Sequence, residues 1–194
     1  MGRTRRENST GRRSSFRESR SRILIVCGGL RTERLYFDAL RQGRRNPAVT
    51  ITVLPKGSAP SGLVTYASKW LKRRSDSFDE VWCVFDVDDF PDIAGAVRLA
   101  TREGFSVAVS NPCFELWLLL HFEQHTAHLS GYDSLRPRLG KHLVDYDKSQ
   151  PKLALLRDRV DDAVRRAREL EPTGGAFEVN PSTGVWRLVE RVWR

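Results

Sequence analysis

The sequence predicts an α/β protein with a mostly parallel sheet flanked by helices and a helical C-terminal portion. From residue 23 onward, short β-rich runs alternate with amphipathic stretches, which is the pattern of βαβ units. The run 80–88 is almost wholly apolar until its aspartates, as expected of a central strand buried on both faces. The chain has 194 residues, 40% of them hydrophobic, which suits one core. We therefore expect a single domain over residues 23–194.

The predicted elements alternate through the first half of this domain. Strands are expected at 23–27, 49–55, 80–88 and 105–110. Helices are expected from Thr32, over 63–74, over 92–103, within 111–122, over 151–170 and over 185–192. They are assigned from apolar residues at spacings of three and four, and from start signals. Two such signals are Asn111 as N-cap with Pro112 behind it, and Pro151 in the first turn of the long helix.

An arginine-rich arm, residues 1–22, precedes the domain. It holds eight Arg against two Glu, and so carries most of the net charge of +9. Its apolar content is too low for folding alone, and we expect it to be disordered. Arginines in such an arm are suited to contacting phosphates. Arg12 and Arg13 in the arm, together with Arg31 in the domain, are the candidate nucleic-acid contacts; the alternative is a solubilising leader.

The cysteines and the lack of long apolar runs predict a cytoplasmic protein without a membrane partner. Cys27, Cys83 and Cys113 are odd in number, form no CxxC pair and sit in apolar runs, which favours buried, reduced thiols. No apolar run approaches the roughly 20 residues needed to cross a bilayer, and no apolar stretch directly follows the arginines as in a signal peptide.

Two aspartates at the end of the apolar strand are the strongest local feature. Asp86 and Asp88 are two residues apart, so in a strand they project from the same face. Ligands in open α/β sheets collect at the carboxyl ends of strands, and crowded carboxylates suit Mg²⁺ or Mn²⁺. The alternative is that the acidic run only supplies turn and N-cap residues, which fits Asp89 and Asp92.

A second candidate carboxylate lies in the apolar helix predicted within 111–122. Glu115 is the only charged residue from Cys113 to Leu120, and a buried carboxylate is costly unless it is paired or bound to metal. The alternative is a structural ion pair with an arginine. The nearby HFEQH does not have the HExxH spacing of zinc proteases, so His121 and His125 are expected at the solvent-exposed end of the helix.

Several segments together resemble the RloB family. They are ILIVCGGLRTERLYF (23–37), VWCVFDVDDF (81–90), SNPCFELWLLLHFE (110–123), YDKS (146–149) and NPSTGVWRLVE (180–190). The family is similar to Toprim domains, the metal-binding fold of topoisomerases and primases. The resemblance implies a Toprim-like, Rossmann-like sheet and a place in bacterial phage defence or abortive infection. It also implies a neighbouring gene for an ABC-type ATPase, which would be a partner.

The resemblance also implies site residues. The aspartate pair of the family, which holds Mg²⁺, corresponds to Asp86 and Asp88. The family usually has Glu directly after the first Cys, where this chain has Gly28, so Glu33 or Glu115 would take over that role, with Lys148 balancing charge. Two functions follow: a Mg²⁺- or Mn²⁺-dependent nuclease acting on RNA or DNA, or a catalytically impaired nucleic-acid-binding or regulatory subunit.

Overall fold

The fold is a three-layer arrangement around one mostly parallel sheet. The computed structural model describes residues 21–43, 49–87, 90–144, 146–147 and 153–193. Within them the strands are β1 (Ser21–Cys27), β2 (Val49–Pro55), β3 (Glu80–Asp86), β4 (Ser106–Asn111) and β5 (Ser182–Thr183). They lie in the order β2-β1-β3-β4-β5, and only β5 is antiparallel to its neighbour. The predicted fold class is confirmed.

Helices cover both faces of this sheet. They are α1 (Thr32–Gly43), α2 (Pro60–Lys72), α3 (Ile93–Arg102), α4 (Glu115–Leu120), α5 (Tyr132–His142), α6 (Val160–Leu170) and α7 (Val185–Trp193). The larger apolar cluster joins one face of the sheet to five helices, which are α1, α4, α5, α6 and α7. The smaller cluster joins the opposite face to α2 and α3. The C-terminal third therefore thickens one layer only, in agreement with the expected helical C-terminal portion.

Strand β1 lies at the centre of both apolar clusters. Its side chains alternate between the faces, as a strand requires: Ile23, Ile25 and Cys27 enter the larger cluster, whereas Leu24 and Val26 enter the smaller one. The strand begins at Ser21, two residues before the predicted start, and Arg22 N donates a 2.6 Å hydrogen bond to Asp79 Oδ2. Residues 1–20 of the arm lie outside the described part.

One helix prediction was wrong in its bounds, and one helix was not predicted. Over 151–170, the described residues form two short 3₁₀ turns (Leu153–Leu155 and Arg157–Arg159) before α6 begins at Val160. The Arg157 guanidinium donates a 3.1 Å hydrogen bond to the Gly43 carbonyl, which ties this segment to the end of α1. Helix α5 was not predicted, although Leu135 and Leu139 are buried one turn apart.

The predicted N-cap at Asn111 is also wrong. Asn111 is the last residue of β4, pairs with Ser182 of β5, and donates a 2.8 Å side-chain hydrogen bond to the Phe177 carbonyl. Because its backbone and amide are used by the sheet and the following loop, the helix starts only at Glu115. None of the described helices is both long and apolar enough to span a bilayer.

His121 and His125 are buried, contrary to the expectation that they face solvent. His121 follows α4 directly, is fully buried, and lies between Tyr36 and Trp117. Its Nδ1 is 2.9 Å from the Trp117 carbonyl, and its Nε2 is 3.4 Å from the Tyr36 hydroxyl. Burial lowers the pKa of His121 to about 4, so the ring is neutral at physiological pH and belongs to the core.

Candidate functional site

Three of the predicted site residues lie at the carboxyl ends of adjacent strands. Asp86 is the last residue of β3, Glu33 lies in the first turn of α1 after β1, and Glu115 opens α4 after β4. Helix α1 covers one face of the sheet while α2 and α3 cover the other, so the connections diverge between β1 and β3. Such a topological switch point is where open α/β sheets bind ligands. We call this place the acidic edge.

Glu33 is buried at the acidic edge, against the turn that follows β1. It is 6% exposed, and its carboxylate occupies the space beside the Gly29 α-carbon. A Cβ built on Gly29 would lie 1.8 Å from Glu33 Oε2, which is far inside van der Waals contact. Glycine at position 29 therefore allows the carboxylate to approach the backbone at this point.

Gly28 lies directly beside the end of β3. Its amide donates a 2.8 Å hydrogen bond to the Val84 carbonyl. A Cβ on Gly28 would lie 3.3 Å from that carbonyl oxygen and 3.4 Å from Phe85 Cβ, so a Cβ requires its neighbours to shift by a few tenths of an ångström. A glutamate here would start at the switch point itself, next to Asp86.

Glu115 is buried and is contacted by Tyr146 from a distant part of the chain. The Tyr146 hydroxyl donates to Glu115 Oε1 at 3.4 Å and is also hydrogen-bonded to the Thr32 side chain. Burial and the charge of Glu115 raise the pKa of Tyr146, so its hydroxyl stays protonated and can donate. Tyr146 thereby connects α4 with the start of α1. The sequence alone did not identify this contact, because the two residues are 31 positions apart.

The predicted buried cysteines are confirmed. In two of them the negative charge of the acidic edge contributes to a raised thiol pKa. Burial, and then the charges of Glu115 and Asp86, raise the pKa of Cys113. Burial and the charge of Glu33 raise the pKa of Cys27 well above its usual range. Since both thiols stay protonated, they are poor nucleophiles.

The other predicted site residues are not brought together by the described structure. Asp88, Lys148, Arg12 and Arg13 lie outside the described residues, so their roles stay predictions. Arg31 is exposed and immediately precedes α1. Asp92 caps α3, as predicted from its position: its Oδ1 accepts a 3.1 Å hydrogen bond from Gly95 N.

The donor chemistry of the acidic edge fits a hard cation. Asp86 is half-buried, and its neighbours across the edge, Glu33 and Glu115, are also carboxylates. Among the described residues, no three His, Cys, Asp or Glu side chains form a group that could hold a metal. Mg²⁺ does not need such a cage, because proteins commonly bind it through one or two carboxylates, water and substrate phosphates. Asp86 and Asp88 would be those carboxylates.

Comparison with known proteins gives one match. A family model described as RloB-like protein matches residues 23–192, which is most of the chain. No curated protein and no solved structure matches it. The matched segment runs from within β1 to within α7 and includes all the carboxylates of the acidic edge. The chain therefore belongs to the family of RloB-like proteins.

Proposed function

We propose that this chain is a Mg²⁺-dependent, Toprim-like nuclease that cleaves phosphodiester bonds of RNA or DNA. The observation that supports it is the acidic edge: Glu33, Asp86 and Glu115 follow three adjacent strands and lie at the switch point of the sheet. Asp86 and Asp88 would hold Mg²⁺ or Mn²⁺. When bound, the ion supplies Lewis-acid polarisation of a phosphate oxygen.

The protein residues would position the nucleic acid and move protons. Glu33 and Glu115 are the candidates for general acid–base work, since each is buried at the acidic edge. Tyr146, which stays protonated, would hold the Glu115 carboxylate in place through its hydroxyl. Lys148 would balance the negative charge that develops in the transition state.

A cleavage assay with matched aspartate variants tests this function. Purified protein should nick RNA or DNA with Mg²⁺ or Mn²⁺, and Asp86→Asn and Asp88→Asn should each reduce the rate by orders of magnitude. Asp162→Asn is the control, because the Asp162 side chain on α6 is 48% exposed and pairs only with Arg165 at 3.4 Å among its described ion pairs. Equal cutting by the Asp86→Asn protein and the control would exclude the acidic edge as the active site.

The second candidate function is a nucleic-acid-binding or regulatory subunit that does not cut. It is favoured by Gly28, which stands beside β3 where the family usually has a glutamate. The Gly28→Glu variant separates the two candidates, since a Cβ at position 28 requires only small shifts of its neighbours. Cleavage that appears only in Gly28→Glu would support the non-catalytic candidate, and cleavage by the natural chain would exclude it. Gly28→Gln is the control without the charge.

Family membership is consistent with a phage-defence-associated protein. We propose that the chain acts there as an effector, in the cytoplasm, and that an ABC-type ATPase encoded by a neighbouring gene is its partner. Co-expression of the two gene products followed by affinity purification tests this partnership. Failure to co-purify in the presence and in the absence of ATP would contradict it.

A further inference from the structure

A cluster of cations surrounds the C-terminal end of α2, at the edge of the sheet opposite the acidic edge. Helix α2 contains no acidic residue, and Lys69, Lys72 and Arg73 are exposed at its end. Arg74 follows them, and Arg22 of β1 lies alongside, joined to Arg74 through Asp76. We call these five cations the α2 cationic surface.

Two of its arginines lie over aromatic rings. The Arg74 guanidinium lies 4.6 Å from the centre of the Trp70 ring, and the Arg22 guanidinium lies 4.9 Å from that of Phe78. The two rings touch, with centroids 5.8 Å apart. Asp76 fixes both guanidinium groups, accepting from Arg74 Nε at 2.7 Å and from Arg22 at 3.0 Å. Such fixed groups lose little rotational freedom when they bind a phosphate.

The side chains of the other three cations have no ion-pair partner within the described part of the chain. No described carboxylate forms an ion pair with Lys69, Lys72 or Arg73, whereas arginines on α5 and α6 are paired with Glu123 and Glu169. The negative end of the α2 dipole favours cations at this position, but it is equivalent to only about half an elementary charge. The surface therefore keeps a positive charge that the carboxylates in the described part of the chain do not fully neutralise.

We propose that the α2 cationic surface is an anchoring site for the phosphate backbone of nucleic acid, separate from the acidic edge. The identity of the partner rests on the proposed function. Fixed arginines beside exposed lysines suit phosphate groups in series. A membrane is a poorer fit, because the large hydrophobic residues that are most exposed in the described structure, Leu30, Val144, Leu155 and Val179, are not part of this surface.

The position of the surface gives it a distinct role. Arg22 stands at the start of β1 and the acidic edge at its end, and seven residues of strand span about 20 Å. A nucleic acid held at both places must cover at least that distance. The arginine-rich residues 1–20 join the chain next to Arg22, and their charge has the same sign. The surface would therefore increase affinity for long nucleic acids without taking part in the chemistry.

Binding measurements with charge-matched variants test the proposal. The full chain is titrated, in EDTA to prevent cleavage, against fluorescein-labelled 20-nucleotide RNA, 20-nucleotide DNA and a 20-base-pair duplex from 50 to 200 mM KCl. In Lys69→Gln/Lys72→Gln, binding of the tightest probe should weaken about ten- to fifty-fold at 100 mM salt, and the slope of log K against log salt should fall by roughly 1.4 to 1.8. Lys69→Arg/Lys72→Arg should restore both.

The control is Arg136→Gln/Lys141→Gln, which removes two exposed cations from α5 and should leave affinity and slope nearly unchanged. The proposal is overturned by equal weakening in both double variants, by unchanged binding of Lys69→Gln/Lys72→Gln, or by no binding of any probe. Phosphatidylserine vesicles serve as a further probe. The proposal is also overturned if Lys69→Gln/Lys72→Gln weakens binding to these vesicles but not to nucleic acid. The binding assay contains EDTA, so its result does not depend on cleavage. A chain that binds through this surface but does not cut in the separate Mg²⁺ assay would contradict the proposed nuclease alone.

Discussion

Replacing Gly29 by alanine should drive the Glu33 carboxylate out of its position. The new Cβ would lie 1.8 Å from Glu33 Oε2 and 2.2 Å from Cδ, whereas ordinary contact begins at 3.4 Å. The backbone at Gly29 is not in the left-handed region, so alanine is unstrained there and the carboxylate must move by about 1.5 Å or more. A displacement of this size at a reacting group can cost about a hundred-fold in rate.

The effect on stability can be measured without any enzymatic activity. Because Glu33 is buried, moving its carboxylate away from its position should cost about 1–3 kcal/mol of stability. In a domain of this size, each kcal/mol lowers the melting temperature by roughly 2–4 °C. Gly28→Ala is the matched control, because its Cβ meets Val84 and Phe85 at 3.3–3.4 Å and does not touch Glu33.

Urea denaturation of a double-mutant cycle isolates the contact. Gly29→Ala should destabilise the wild-type background but have little effect in a Glu33→Ala background, where no carboxylate remains to be displaced. The coupling energy should therefore be about 1–3 kcal/mol. A coupling within about 0.5 kcal/mol of zero would refute the position of Glu33, since contacts that do not exist leave the two substitutions additive.

Three further predictions concern stability. Asp92→Ala should cost about 1 kcal/mol, because the Gly95 amide loses its cap, and Asp92→Ser should recover most of it in thermal melts. Gly140→Ala should stabilise α5 by about 0.5–1 kcal/mol, since a Cβ there meets nothing within 4 Å; a lower melting temperature would contradict this. His121 has a folded pKa of about 4, below its unfolded value of 6.5, so the unfolded state binds more protons between these values. Stability should fall as the pH drops from 6.5 to 4, by up to about 3 kcal/mol, and denaturation of His121→Phe should show a flatter pH dependence over that range.

The acidic edge could be predicted from the sequence because its position depends on local patterns. The apolar run before Asp86 identifies a buried strand and its end, and Glu33 and Glu115 each follow another strand closely. Strand ends in a parallel sheet meet at one edge, so the three residues had to lie there. The same logic does not identify Tyr146, because its contact with Glu115 joins residues 31 positions apart and leaves no local pattern.

The missed elements lack a strong local signal. Helix α5 contains Pro137 and Gly140, both poor helix formers, although Leu135, Leu139 and Leu143 recur at a spacing of four. Strand β5 has two residues, too few for any alternation to be seen. The burial of His121 depends on packing against Tyr36, and long-range packing of this kind leaves no local pattern.

The double-sided burial of β1 has a consequence for how the protein loses its structure. Because alternate residues of one strand fill separate apolar clusters, both helical layers pack on β1 and depend on it for part of their contact surface. We expect the two layers to melt in a single cooperative step, and the amides of Leu24, Ile25 and Val26 to exchange only through global unfolding. We therefore expect that a chain truncated to lack β1 cannot assemble either layer.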